Sequence, residues 1–291
     1  MPAARIDLDH NATTPVHPEV AEAVARVLRD VSGNPSSRHA RGAAARAELE
    51  AARERVAALV GFRAGEIVFT SGATEANNAA LFGALAGEGA AHLVTSAVEH
   101  PSVLEPAARL ERSGVKVTRV VVDAEGRLDP EAVAAALTRE TRLLSLIWAN
   151  NETGVIQPLA EIAAGAAARG VPVHADATQA LGKIPVDGAR LGLACLSGSA
   201  HKLNGPKGIG FLALREGTSF EPLLLGGSQE RRRRGGTENV AGAVGLGVAA
   251  ELARRELDAR ACRQRALRDR LPRRILLRPK HGFGVPVGKW F

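Results

Sequence analysis

The chain has 291 residues, 45% of them hydrophobic and 24% charged, which is long enough to bury a sizeable core and excludes a disordered segment or a small disulfide-stapled scaffold. Its net charge is +7, yet residues 1–250 hold 26 Lys/Arg against 27 Asp/Glu, while residues 251–291 hold 12 against 4. A basic end on a neutral body reads as a solvated helix and tail, not as a nucleic-acid face.

No run of about 18 apolar residues occurs, so no membrane span is expected. The start from Met1 to Asp7 lacks an apolar signal core, and a cytoplasmic address is expected. Short β-rich runs alternate with Ala-rich stretches, the pattern of βα units wound into a mainly parallel sheet covered by helices on both faces, an α/β fold. In chain order the pattern predicts helices over 17–30 and 40–60, a strand over 67–70, a helix over 74–86 and a strand over 92–95. A helix over 101–113, a strand over 115–122, a helix over 129–137, a strand over 143–148 and a helix over 159–169 follow. Strands over 171–174 and 209–214 flank an apolar stretch at 191–196. From Thr237 to about Leu271 one long helix is expected, with a polar, exposed second half. In such a sheet ligands belong at the carboxyl ends of the strands.

Only six of the 38 cations are lysines. Arginine stays protonated, whereas a buried lysine can lose its proton and become a nucleophile, so each lysine is informative. Three segments carry candidate chemistry. Ser71-Gly72-Ala73-Thr74-Glu75 follows a strand and opens a helix; such a turn offers backbone N–H groups to an anion at the positive end of the helix dipole. The same residues also suit a plain N-cap with Glu75 as capping-box partner. His174-Ala175-Asp176-Ala177-Thr178-Gln179 brings a carboxylate to the end of a buried strand, where it needs a partner, either a cofactor's protonated ring nitrogen or an arginine. Ser197-Gly198-Ser199-Ala200-His201-Lys202 places a rare lysine before a Gly/Pro turn, either a solvated loop lysine or a desolvated amine poised to form an imine, with Ser199 and His201 donating to a phosphate. Together, an anion-binding helix start, a strand-end Asp and a loop Lys are the parts that pyridoxal phosphate requires.

At these residues the sequence resembles the cysteine desulfurases of the class V pyridoxal-phosphate aminotransferase superfamily, of the iron-sulfur assembly type. The resemblance covers about residues 5–270. It is carried by Leu8-Asp9-His10-Asn11-Ala12-Thr13-Thr14-Pro15, Gly33-Asn34-Pro35-Ser36-Ser37, Ser71 to Glu75, Glu99-His100, Asn150-Asn151-Glu152-Thr153-Gly154, Asp176 to Gln179, His201-Lys202 and Arg234-Gly235-Gly236-Thr237-Glu238-Asn239. It implies a fold-type I architecture. Lys202 would hold the cofactor and then shuttle protons, Asp176 would meet the pyridine nitrogen, and Gln179 the ring hydroxyl. His100 would stack on the ring and Asn151 would orient the ring or the substrate carboxylate. Ala73, Thr74, Ser199 and His201 would hold the phosphate, with Thr237 reaching the phosphate of a neighbouring subunit in a homodimer. The implied partners are L-cysteine and an iron-sulfur scaffold or other sulfur acceptor, with no metal and no nucleic acid.

The implied domains are an N-terminal extension at 1–15, a large cofactor domain at 16–250 and the start of a small domain at 251–270. The family's mobile persulfide cysteine lies in that small domain, which is expected to be incomplete. Two cysteines cannot build a disulfide framework or a four-cysteine metal site; Cys195 reads as a buried structural thiol and Cys262 as a helix-surface one. Residues 271–291 are similar to a segment near the end of asparagine synthetases, and a composite reading frame is expected. Desulfuration impaired by the missing cysteine is therefore the expected function, with a non-catalytic dimerising fragment or a lyase acting on selenocysteine or cysteine sulfinate as alternatives.

Overall fold

The computed structural model describes residues 7–87 and 89–270. Among these, the strands β1 (Ile67–Thr70), β2 (His92–Ser96), β3 (Lys116–Val120), β4 (Thr141–Ile147), β5 (Val173–Asp176), β6 (Cys195–Ser199) and β7 (Gly210–Leu214) form one sheet in the order β1-β7-β6-β5-β4-β2-β3. From β6 across to β3 every neighbouring pair is parallel, and only β7 runs antiparallel to its neighbours β1 and β6. The loop between β6 and β7 is too short for the crossover of a dozen or more residues that a parallel pair needs, so the two form a hairpin. That hairpin loop carries Lys202 at the carboxyl end of β6.

The helices are α1 (Pro18–Asp30), α2 (Ala40–Val60), α3 (Ala73–Leu85), α4 (Pro101–Arg112), α5 (Pro130–Ala136), α6 (Leu159–Ala167), α7 (Val240–Arg255) and α8 (Leu257–Arg270). Alternating strand residues face two cores, as a period of two demands. Ile67, Phe69, Phe211 and Ala213 join the cluster under α1, α2, α5, α6 and α7. Val68, Leu212 and Leu214 join the cluster under α3 and α4. Both faces are therefore covered, as expected. Gly247 of α7 lets this helix lie against α2: a Cβ there would sit 2.8 Å from Ala52 Cα.

The single long helix expected from Thr237 onward is two helices. Asn239 caps α7, its side chain accepting from Gly242 N at 2.9 Å. The break falls at Glu256 (φ −103°, ψ 4°), just after the burial of α7 ends at Leu252 and Ala253, and α8 buries no residue. Lacking an apolar face to dock, α8 has no packing reason to stay collinear with α7. The segment resembling asparagine synthetases lies outside the described residues.

Candidate active site

A cleft of about 810 Å³ opens where β4, β5 and β6 end and α3 and α4 begin. Nine of the sequence-predicted site residues line it: Ala73, Thr74, His100, Asn151, Asp176, Gln179, Ser199, His201 and Lys202. Thr237 does not; it is exposed in the loop before α7, where it is free to face another molecule.

One end of the cleft is built for an anion. The N-cap of α3 is Gly72, which has no side chain to cap the first turn, so the leading N–H groups are left for a ligand. Glu75 instead reaches back to Ser71 N at 2.8 Å and pairs with Arg234 at 2.9 Å, tying the turn to the loop before α7. Gly210 of β7 makes the turn possible, because a Cβ there would lie 2.7 Å from Gly72 Cα. The Ser199 hydroxyl stands beside Gly72, and His201 Nδ1 lies 3.2 Å from Thr13 Oγ1. Thr178 also lines the cleft, its buried hydroxyl without a hydrogen-bond partner among the described residues.

The floor is Asp176, 4% exposed at the end of β5. Its Oδ1 accepts from Thr178 N at 3.0 Å and its Oδ2 from Asn77 Nδ2 at 2.7 Å. No arginine pairs with it among the described residues, which removes the structural alternative left open by the sequence. Beneath it His174, buried between Ser145 and Ser197 hydroxyls at 2.9 and 2.8 Å, is pushed down to about 4 by burial against the pull of Asp176. Beside it burial pushes the Glu99 carboxyl up to about 8, with the charge of Asp176 adding to the effect.

Lys202 lines the same cleft as Asp176 and is roofed by the N-terminal segment: its Nζ donates to Ala12 O at 2.8 Å and to Asn11 O. Burial lowers its pKa, opposed by Asp9 and Asp176. Gln179 is held from behind by Lys183, whose Nζ donates to Gln179 Oε1 at 2.7 Å and to Gln179 O at 3.1 Å. Burial, helped by the charge of Lys202, pushes Lys183 down to about 8. Asn150 shapes the turn that presents Asn151, accepting from Glu152 N and Thr153 N at 2.9 Å each and donating to Val98 O at 2.9 Å.

Sequence reasoning missed Asn77, Ser102 and Lys183 as site residues. For Asn77 a signal existed, an amide amid the Ala-rich run of α3 that turns out fully buried. Lys183 was one of the six informative lysines. Ser102 carried no signal. Cys195 is buried in β6, where desolvation pushes its thiol up to about 12, and Cys262 is exposed on α8; neither lines the cleft.

The model of the aminotransferase class-V family matches residues 6–286. The chain belongs to that family. A cysteine desulfurase IscS of Dictyoglomus turgidum is 47% identical over 271 residues, which is 92% of this chain and 68% of the relative. A solved NifS-like protein superposes with a TM-score of 0.89 at 39% identity, over 92% of this chain and 74% of that one. The structure titled SspA in complex with cysteine gives a TM-score of 0.80 at 38% identity, covering 83% and 71%. The sheet is thus that of the fold-type I pyridoxal-phosphate enzymes. The residues present fit that cofactor: a helix start without a side-chain cap, with the Ser199 hydroxyl beside it, suits a phosphate, and a buried carboxylate paired with no arginine or lysine among the described residues suits a ring N–H.

Proposed function

We propose that the chain is a pyridoxal-phosphate-dependent cysteine desulfurase, in which L-cysteine and an acceptor thiol yield L-alanine and the acceptor's persulfide. The carrying observation is that Lys202, the buried Asp176 carboxylate and the open start of α3 all line one cleft. When bound, the cofactor supplies an electron sink for bonds to an amino acid's Cα. Ala73 and Thr74 at the start of α3, with Ser199 and His201, would hold its phosphate, and Asp176 would hold its ring N–H. Gln179 would donate to its ring oxygen. Lys202, its amine favoured in the neutral form by burial, would hold the aldehyde carbon and afterwards carry a proton at Nζ. His100, exposed at the cleft, would cover the ring and exchange a proton at Nε2, while Asn151 would orient the substrate carboxylate.

Neither cysteine lines the cleft, so sulfur acceptance falls to a thiol other than Cys195 and Cys262. The reading includes a cytoplasmic homodimer in which Thr237 faces the partner subunit's phosphate, serving an iron-sulfur scaffold or similar acceptor.

The test is to incubate the chain with pyridoxal phosphate, record the visible band of the bound cofactor, then add L-cysteine with excess dithiol as acceptor. Sulfide and alanine are expected in equal amounts, and both should vanish in Lys202→Ala along with the band. A chain that stays colourless, or a Lys202→Ala variant that still releases sulfide, refutes the proposal. Turnover confined to selenocysteine or cysteine sulfinate would replace cysteine as the substrate.

A further inference from the structure

Asn77 lies in α3 one turn after Ala73, wholly buried. Its Nδ2 donates to Asp176 Oδ2 at 2.7 Å and to Ser102 Oγ at 2.8 Å. The amide cannot be turned over, because the reverse orientation would aim its oxygen lone pairs at the Asp176 carboxylate. Its Oδ1 has no partner among the described residues, so these two bonds set its orientation.

The directions of the remaining bonds follow. The Ser102 hydroxyl accepts from Asn77, and because His100 Nδ1, 2.7 Å away, already faces the Ser102 backbone N–H, the hydroxyl hydrogen is the one left to point at that ring nitrogen. The same ring nitrogen takes the Ser102 backbone N–H at 3.1 Å. A ring nitrogen that accepts two hydrogens carries none, so the neutral imidazole holds its proton on Nε2.

We infer that Asn77 is a positioning residue that orients the Asp176 carboxylate and, through Ser102, locks His100 as its Nε2–H tautomer. One amide nitrogen thereby aligns the group meant for the ring nitrogen and the group meant for the ring face. An amide does not pass protons on, so the network aligns both groups without carrying protons between them. The inference deepens the desulfurase reading and rests on it for its catalytic meaning, but its geometry is testable without the reaction.

The first test is ¹⁵N spectroscopy of histidine-labelled full chain without cofactor, the His100 signals being assigned by their loss in His100→Gln. The wild type is expected to show one protonated and one bare ring nitrogen, with Nδ1 the bare one. Ser102→Ala keeps only the backbone donor, and its two signals should move toward each other as tautomers exchange. Ser102→Thr, which retains the hydroxyl, should restore the wild-type separation. Asn77→Leu should act in the same direction as Ser102→Ala; if it fails to fold, the Ser102 pair decides alone. In the cofactor-loaded enzyme Ser102→Ala should lower kcat roughly tenfold with KM unchanged, as expected for part of a general acid–base contribution, and Ser102→Thr should recover it.

A wild-type ring protonated at Nδ1, or a Ser102→Ala spectrum identical to wild type, overturns the inference. The ¹⁵N result stands apart from the reaction. If the spectra are as expected but the wild type releases no sulfide, the desulfurase reading fails and the tautomer lock stands. If sulfide is released but the spectra do not respond, the lock alone fails.

Discussion

Glu99 gives the sharpest quantitative test of the site's electrostatics. It lies between β2 and α4, 5% exposed, with Oε1 at 2.5 Å from Ser96 Oγ and Oε2 without a partner among the described residues. Burial, reinforced by Asp176, raises its pKa from 4.5 to about 8, against the opposing pull of hydrogen bonds from Ser96 and the Ile147 backbone. Between those two values the folded chain keeps a proton that the unfolded chain has released. Stability must therefore fall as pH rises through that window, at about 1.4 kcal/mol per pH unit from this group alone. Glu99→Gln replaces the neutral acid with a neutral amide of the same shape and removes the titration. Any cost of placing the amide is the same at every pH. Denaturant unfolding of both proteins should then show the variant gaining about 2.5 kcal/mol on wild type between pH 5.5 and 7.5. A stability difference that stays constant across that range would refute the assignment of a buried neutral carboxyl beside Asp176.

The ion pair of Arg53 and Glu230, at 2.7 Å with side chains 6% and 1% exposed, anchors the loop that leads to Arg234 and Thr237. Arg53→Met should cost about 3–5 kcal/mol by stranding a buried carboxylate, a fall of roughly 2–4 °C in melting temperature per kcal/mol for a chain of this order of size, and adding Glu230→Gln should recover most of it. Lys183→Met releases Gln179 Oε1 and should weaken cofactor binding several-fold, about 1 kcal/mol for the lost hydrogen bond, read by titrating the visible band. If binding is unchanged, Lys183 does not position Gln179.

Local pattern and local chemistry in the sequence carried much of the site. Burial on both faces makes parallel strands read as short apolar runs, and the alternation with Ala-rich helices followed from that. The strand-end Asp176, the small turn opening α3 and the rare lysine in a hairpin loop were legible because each is a residue type at odds with its neighbours. What sequence could not carry were bonds between residues far apart in the chain. Asn77 meets Asp176 across 99 positions, and Ala12 roofs Lys202 across 190. Nothing local marks such pairs, since only the packing of α3 against β5, and of the N-terminal segment over the β6–β7 hairpin, brings them within hydrogen-bond reach. The break at Glu256 was hidden for a related reason, because the propensity of an Arg-rich helix continues where its buried partner surface stops. The sequence alone determined the small turn before α3, the strand-end carboxylate and the loop lysine through residue type, while His100, Asn151 and Gln179 were expected only from the family resemblance. The tertiary structure alone decided how those groups are oriented and how far burial shifts Glu99, Lys183 and His174, because orientation and desolvation depend on neighbours that the chain supplies only by folding.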